Sequence, residues 1–309
     1  MKLSIVATLY QSARHVEEFC RRAGESAIHV AGDDYEIVLV HDGSPDDSLA
    51  RAVRVSEVDP HVAVIDLSRN FGHHKAMMTG LRYARGEQVF LLDSDLEEEP
   101  EWLMAFFKQM RSEGCDVVYG IQDTRKGGSI ERWSGSLYYW TVRSTTGLVL
   151  PDNIVTARLM TRDYVNALLQ HDEREMFMAG LWSITGFDQR PQTVHKRSSS
   201  TTTYTLGRKL TLLVNSITSF SSAPLVGIFY LGLFISLVAG SYTGYLIIHW
   251  VFLANPPSGW TSVMASIWLL GGLLILFIGI IGIYLSKIFS EAKRRPYTIV
   301  RKVYGRRNE

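Results

Sequence analysis

The chain has 309 residues, enough for one large domain with an appendage or for two domains. Its 32 Lys and Arg nearly cancel its 31 Asp and Glu, so no global basic field argues for nucleic acid, and none is expected as a partner. The two cysteines, Cys20 and Cys115, match no metal or redox spacing and suit a reducing compartment.

From the first residues, short apolar runs alternate with longer amphipathic ones. "MKLSIVATLY" reads directly as a strand and not as a signal peptide. The runs at 3–9, 35–40, 62–68, 88–93 and 116–121 predict strands, and the segments near 12–30, 46–58, 73–85 and 100–113 predict helices. That rhythm predicts an α/β domain whose mostly parallel sheet is covered on both faces. Ligands of such sheets sit beyond the carboxyl ends of the strands.

Two acidic places fall at those ends. "VHDGSPDD" sets Asp42 in a turn with Gly43, Ser44 and Pro45, and "LLDSDLEEEP" sets Asp93, Asp95, Glu97, Glu98 and Glu99 past the fourth strand. Neither a dinucleotide fingerprint nor a P-loop is present to bind phosphate. A phosphate here would therefore need Mg²⁺ or Mn²⁺ on oxygen ligands. Asp93 and Asp95, two apart in extended chain, point the same way and can face one ion. On these residues alone the cluster reads either as that site or as a solvated loop leading into a helix.

Further along, no Asp, Glu, Lys or Arg stands between Lys209 and Lys287. Within that window, segments at about 225–253 and 262–286 each exceed the roughly 20 apolar residues that cross a bilayer. "NPPSG" turns the chain between them, so residues 224–286 predict a transmembrane hairpin. Lys287, Lys293, Arg294, Arg295, Arg301 and Lys302 follow it, Arg208 and Lys209 precede it, and the turn is uncharged. The positive-inside rule puts both ends in the cytoplasm. Just upstream, at 206–223, Leu210, Leu213, Val214 and Ile217 recur at helical spacing opposite Thr211, Asn215 and Thr218. This predicts an amphipathic helix in the membrane interface, with a short core helix as the alternative.

Taken in order, the opening strand ending in Tyr10, "HDGSPDD", "LSRNFGHHKAMMTGLRYARGE", "LLDSDLEEEPEW", "ARLMTRDYV", the hairpin and "IGIYLSKIFSEAKRRPYTIV" resemble the family-2, GT-A-type glycosyltransferases that act on polyprenyl phosphates. That branch includes bactoprenol glucosyltransferases and dolichyl-phosphate mannose synthases. The resemblance implies a GT-A domain over 1–205, metal ligation by Asp93 and Asp95, base contact by Asp42, and a donor pocket shaped by Tyr10, Arg69, Asn70, Gly72 and Ser94. It leaves Glu98, Glu99 and Glu101 to stabilise a helix N-terminus, with Glu97 between the two roles. It implies transfer of a sugar from a nucleotide diphosphate to a polyprenyl phosphate, with inversion. The setting would be the inner face of a bacterial cytoplasmic membrane, in envelope glycan modification such as that of O-antigen. Transfer to another lipid or glycan hydroxyl, or a degenerate sugar-nucleotide scaffold, is the alternative. A homo-oligomer is expected.

The sequence also departs from that pattern. Gln11 and Ser12 follow Tyr10 where the family has Asn-Glu, and Thr156 stands where relatives carry an Asp two residues before Arg-Leu-Met. Asp152 is the substitute candidate for a catalytic base. Arg125, Lys126, Arg158, Lys196, Arg197, Arg208 and Lys209, spread between the acidic site and the membrane segments, suit a lipid-linked phosphate. The basic stretch 287–309 is expected to be a cytoplasmic tail.

Overall fold

A computed structural model describes residues 1–122, 141, 144–147, 153–174, 176–196, 214, 217–253 and 259–305. The first half alternates as the sequence predicts: β1 (Leu3–Leu9), α1 (Val16–Ala31), β2 (Tyr35–His41), α2 (Ser48–Val58), β3 (Val62–Leu67), α3 (His73–Tyr83), β4 (Gln88–Asp93), α4 (Trp102–Glu113) and β5 (Val117–Gln122). After these come β6 (Ile154–Thr161), α5 (Arg162–Leu168), α6 (Met178–Ile184) and β7 (Gln189–Val194). Two long helices follow, α7 (Ala223–Leu253) and α8 (Trp260–Ala292), and the last element is β8 (Val300–Tyr304).

Among the described residues, eight strands form one sheet in the order β7-β5-β6-β4-β1-β2-β3-β8. Strands β1 to β4 are parallel neighbours and β5 pairs parallel with β7, whereas β6 runs antiparallel between β4 and β5, and β8 antiparallel on β3. The central strands are apolar throughout because both faces are covered. Phe19, Ala23, Ile37, Phe90 and Phe106 fill the layer beneath α1 and α4. Val6, Val40, Met78, Leu81, Tyr164 and Leu181 fill the other, beneath α3, α5 and α6. Chain order reverses at β1, which has β2 on one side and β4 on the other. The crevice for a ligand therefore opens past Leu9 and Asp93.

The C-terminal segment departs from the expected layout. Helix α8 runs on to Ala292, and residues 300–304 of the supposed tail complete the sheet edge. The sheet thus draws its eighth strand from beyond the expected 1–205 domain. Of the interfacial segment 206–223 most residues lie outside those described, and 217–220 are helical. The stretch Leu269–Ala292 is long and apolar enough to cross a membrane. Its polar end is fastened to the domain: Tyr284 Oη donates to Ser221 O at 2.7 Å, Lys287 Nζ to Ser219 Oγ at 2.7 Å, and Arg174 N to Glu291 Oε1 at 2.6 Å.

Candidate active site

Three loops converge at the switch point. The turn after β2 approaches the loop after β3 so closely that a Cβ on Gly43 would lie 2.3 Å from Asn70 N, and its φ is +58°. Only glycine fits there. Asp42, 2% exposed, locks the contact: its Oδ1 accepts Phe71 N–H at 2.7 Å and its Oδ2 accepts Gly72 N–H at 3.0 Å. Both oxygens are thereby committed to backbone, so this carboxylate braces the loop that leads into α3. Arg69, on the same loop, lies over the Phe71 ring at 4.1 Å and donates to Asn70 O. Arg69 and Asn70 are exposed, and Tyr10, directly after β1, is 48% exposed.

The acidic segment divides by direction. Asp93 pairs in register with Thr8 of β1 at the end of β4. Its Oδ2 accepts from Thr156 Oγ1 at 3.1 Å, and its Oδ1 lies 3.3 Å from His73 Nε2. That His73 contact is within ion-pairing distance but not aligned as a hydrogen bond, so Oδ1 is a buried oxygen without a donor among the described residues. His73 Nδ1 is in turn 3.0 Å from Thr8 Oγ1. Burial disfavours the Asp93 anion, but His73, Lys196 and Thr156 outweigh it and hold its pKa below the usual value. Ser94 turns the other way, buried, and donates to Thr8 O at 2.7 Å. It supports β1 from beneath and does not line open space. The chain is not extended past Asp93 as expected: Ser94 and Asp95 form a turn that leaves Asp95 exposed, its Oδ1 accepting Glu97 N–H at 2.9 Å. Burial and the nearby Asp93 charge raise its pKa.

Glu98 is the residue the sequence misplaces. It does not stabilise a helix end. It is 1% exposed, accepting Thr156 N–H at 2.9 Å and Asp93 N–H at 3.3 Å, so it ties β4 to β6 beneath the carboxylates. Burial, with Asp93 adding to it, pushes its carboxyl up to about 8. Glu101 stands at the N-cap of α4, as expected of a carboxylate at a helix start, and pairs with Arg22 at 2.6 Å.

Of the expected acceptor cations, Arg125, Lys126, Arg197, Arg208 and Lys209 lie outside the described residues, as does the candidate base Asp152. Lys196 faces the acids, 3.2 Å from Glu97 Oε2 and 3.9 Å from Glu98 Oε1. Arg158 is not a surface cation. It is fully buried on β6, its guanidinium under the Trp182 ring and its Nε donating to Thr156 O, and burial lowers its pKa to about 9. Arg158 and Thr156 share one face of β6, which places this buried positive charge one pleat below Thr156 and Asp93.

The donor set suits a hard divalent cation: a buried oxygen of Asp93 without a hydrogen-bond donor, and an exposed carboxylate at Asp95. Among the described residues no three His, Cys, Asp or Glu side chains close into a cage, so an ion here would draw further ligands from water and from a phosphorylated substrate.

The sequence profile of glycosyl transferase family 2 matches residues 4–169, from β1 through α5. The chain belongs to that family. As a family-2 glycosyltransferase it has relatives along its full length. A protein of Mycobacterium tuberculosis named among "putative glycosyltransferases" is 52% identical over 99% of this chain and 89% of its own. The "SfII prophage-derived bactoprenol glucosyl transferase" of Shigella flexneri is 30% identical over 98% of each chain. Among solved structures, a glucosyl-3-phosphoglycerate synthase of Mycobacterium tuberculosis is more distant, with a TM-score of 0.47 and 16% identity over 71% of this chain and 80% of that one.

Proposed function

We propose that this glycosyltransferase moves a sugar from a nucleotide diphosphate to a polyprenyl phosphate at the cytoplasmic face of a membrane, with Mg²⁺ or Mn²⁺ held by Asp93 and Asp95. The observation that carries the reading is the paired carboxylates at the switch point, one with a buried oxygen that lacks a hydrogen-bond donor. A bound cation would supply Lewis acidity at the departing diphosphate. The chain's own residues prepare the place. His73, Lys196 and Thr156 keep Asp93 ionised, Glu98 fixes the spacing of β4 and β6, and Asp42 with Gly43 holds the Arg69–Asn70 loop.

What Thr156 does supports a phosphate acceptor. Its hydroxyl is spent on Asp93, and a threonine is no general base at neutral pH. A phosphate monoester needs none, because its second pKa is about 6 and its oxygens are already anionic. The name of the Shigella relative, with its lipid acceptor, agrees with this.

Topology supports the location. Strand β8 pairs with β3, so residues 300–304 lie on the same side as the catalytic sheet. A chain that leaves this side between the two must cross the membrane an even number of times, and the proposal takes α7 and α8 as those two crossings. The uncharged connector and the basic flanks support a cytoplasmic sheet side.

The test is to incubate membranes with labelled UDP- and GDP-sugars and undecaprenyl phosphate. Label should enter a lipid-linked product from one donor. Chelation, Asp93→Asn and Asp95→Asn should each lower the rate by roughly two orders of magnitude with the fold retained. Full activity of both variants in excess EDTA would remove the metal from the account. Label that enters only phosphate-free lipid would overturn the acceptor.

A further inference from the structure

Residues from the far end of the chain reach the turns of the active site. We propose that β8 is a working part of the donor site: Arg301, Asp66 and His41 form a relay of positioning residues that sets the turns after β1 and β2 for the nucleotide sugar. This rests on the donor reading given above.

The register of β8 on β3 supplies the first link. Asp66 faces Lys302 and Leu67 faces Val300, so the ladder breaks between them and Arg301 is the extra residue. A bulge of this kind re-aims a side chain. Here the guanidinium turns onto β3, with Nη2 donating to Ser68 O and Nη1 lying 3.5 Å from Asp66 Oδ2. Asp66 is 1% exposed, and a carboxylate so deeply buried requires partners. Its other oxygen meets His41 Nδ1 at 2.8 Å.

The backbone then fixes the histidine. His41 Nε2 lies 3.0 Å from Ser44 N, and an amide N–H can only donate, so Nε2 is the unprotonated nitrogen. Nδ1 therefore carries the hydrogen and donates to Asp66. The ring can occupy only this orientation, and it holds Ser44 by its amide. Ser44 in turn holds both turns: its Oγ accepts Gln11 N–H at 2.8 Å and donates to Asp46 Oδ1 at 2.6 Å. Asp46 Oδ2 takes Ala13 N–H at 3.1 Å. Four hydrogen-bonded steps thus lead from the C-terminal strand to the residues on either side of the donor crevice.

The seat of the strand does not depend on the relay. Ser68 N donates to Ile299 O at 2.9 Å, Thr298 Oγ1 meets Thr79 Oγ1 at 2.8 Å, and Tyr297 is buried beneath Arg82. Removing the Arg301 charge leaves these contacts in place, so the relay can be loosened without releasing the tail. Lys302, its neighbour on β8, lies over Tyr304 and serves as a matched control.

The experiment uses the full chain in lipid nanodiscs, with UDP-glucose and GDP-mannose as donors and undecaprenyl phosphate as acceptor. Arg301→Ala should raise the donor KM about fivefold, a modest effect because the side chain is 59% exposed. Its kcat and acceptor KM should stay within about twofold, Arg301→Lys should recover part of the loss, and Lys302→Ala should match wild type. Equal donor KM for Arg301→Ala and Lys302→Ala, or a loss confined to kcat or to acceptor KM, would overturn the relay. So would a ¹⁵N spectrum showing His41 protonated at Nε2, a readout that needs no donor. A wild type that neither binds nor turns over any nucleotide sugar would instead remove the donor reading and this inference with it.

Discussion

Replacing Asp42 by Asn separates two roles that one carboxylate can play. In the structure it accepts two backbone amides at 2.7 and 3.0 Å from a position 2% exposed. A hydrogen bond to a charged group stabilises by roughly 1.5–3 kcal/mol, and a buried donor left unpaired costs about 1–3 kcal/mol. Asn keeps one acceptor oxygen but turns an NH₂ towards the second amide, so one bond is lost and one N–H is stranded. The expected loss is about 3 kcal/mol, which for a domain of this size lowers the thermal midpoint by roughly 6–12 °C. Gly43→Ala should act on the same loop from the other side, because its new Cβ would meet Asn70 N at 2.3 Å. Thermal unfolding of the purified protein without substrate, followed by donor KM, checks both. If Asp42→Asn melts with the wild type while its donor KM rises, the carboxylate binds ligand directly and the bracing role is wrong.

Two further predictions concern titration and topology. Glu98 has a folded pKa of about 8 against an ordinary 4.5, so between those values the native state holds a proton that the unfolded chain has released. Stability should therefore fall as pH rises from about 4.5 to 8 and level off above, by about 4–5 kcal/mol at 1.36 kcal/mol per pH unit. In metal-free protein Glu98→Gln should abolish that slope, and parallel stability–pH curves for the two proteins would refute it. For topology, Cys20 and Cys115 are free but buried, so introduced cysteines can be labelled above a low background. Ser258→Cys should react with an impermeant reagent from outside the cell and Asn308→Cys only after permeabilisation. Labelling of both from one side would mean that the two helices do not make a pair of crossings.

The sequence disclosed the parts of the fold that local pattern controls. Strands covered on both faces are apolar runs, so β1 to β5 fall within a residue or two of their expected limits. The peripheral strands carry no such signal. "QRPQTV" and "VRKVY" are polar enough to pass for loop and tail, and both are edge strands whose pairing is decided by distant partners. Arg158 was visible as a motif residue, but nothing local shows that its strand inserts between β4 and β5 or that Trp182 covers it. The acidic run shows the same limit more finely. Asp93 and Asp95 could be picked out by their period at a strand end, whereas three successive glutamates look alike in sequence. Which one turns inward is set by the local chain path, where Leu96 adopts a φ of +61°, and by β6, which offers the Thr156 amide. Asp42 was recognised as important, yet its partners are loop amides some thirty residues away.

The outer edge of β3 is covered by β8, a strand made after α7 and α8, which gives synthesis an order of events. While the chain is being translated, β3 displays an unpaired outer edge, and it keeps that edge until α7 and α8 have been made and β8 follows them. Completion of the sheet is thereby timed after synthesis of both long helices. A product that stalls or is clipped between α8 and β8 retains a bare β edge, the feature that invites pairing with other chains. Defective copies would carry their own mark for disposal, and only chains made through β8 would present a finished sheet.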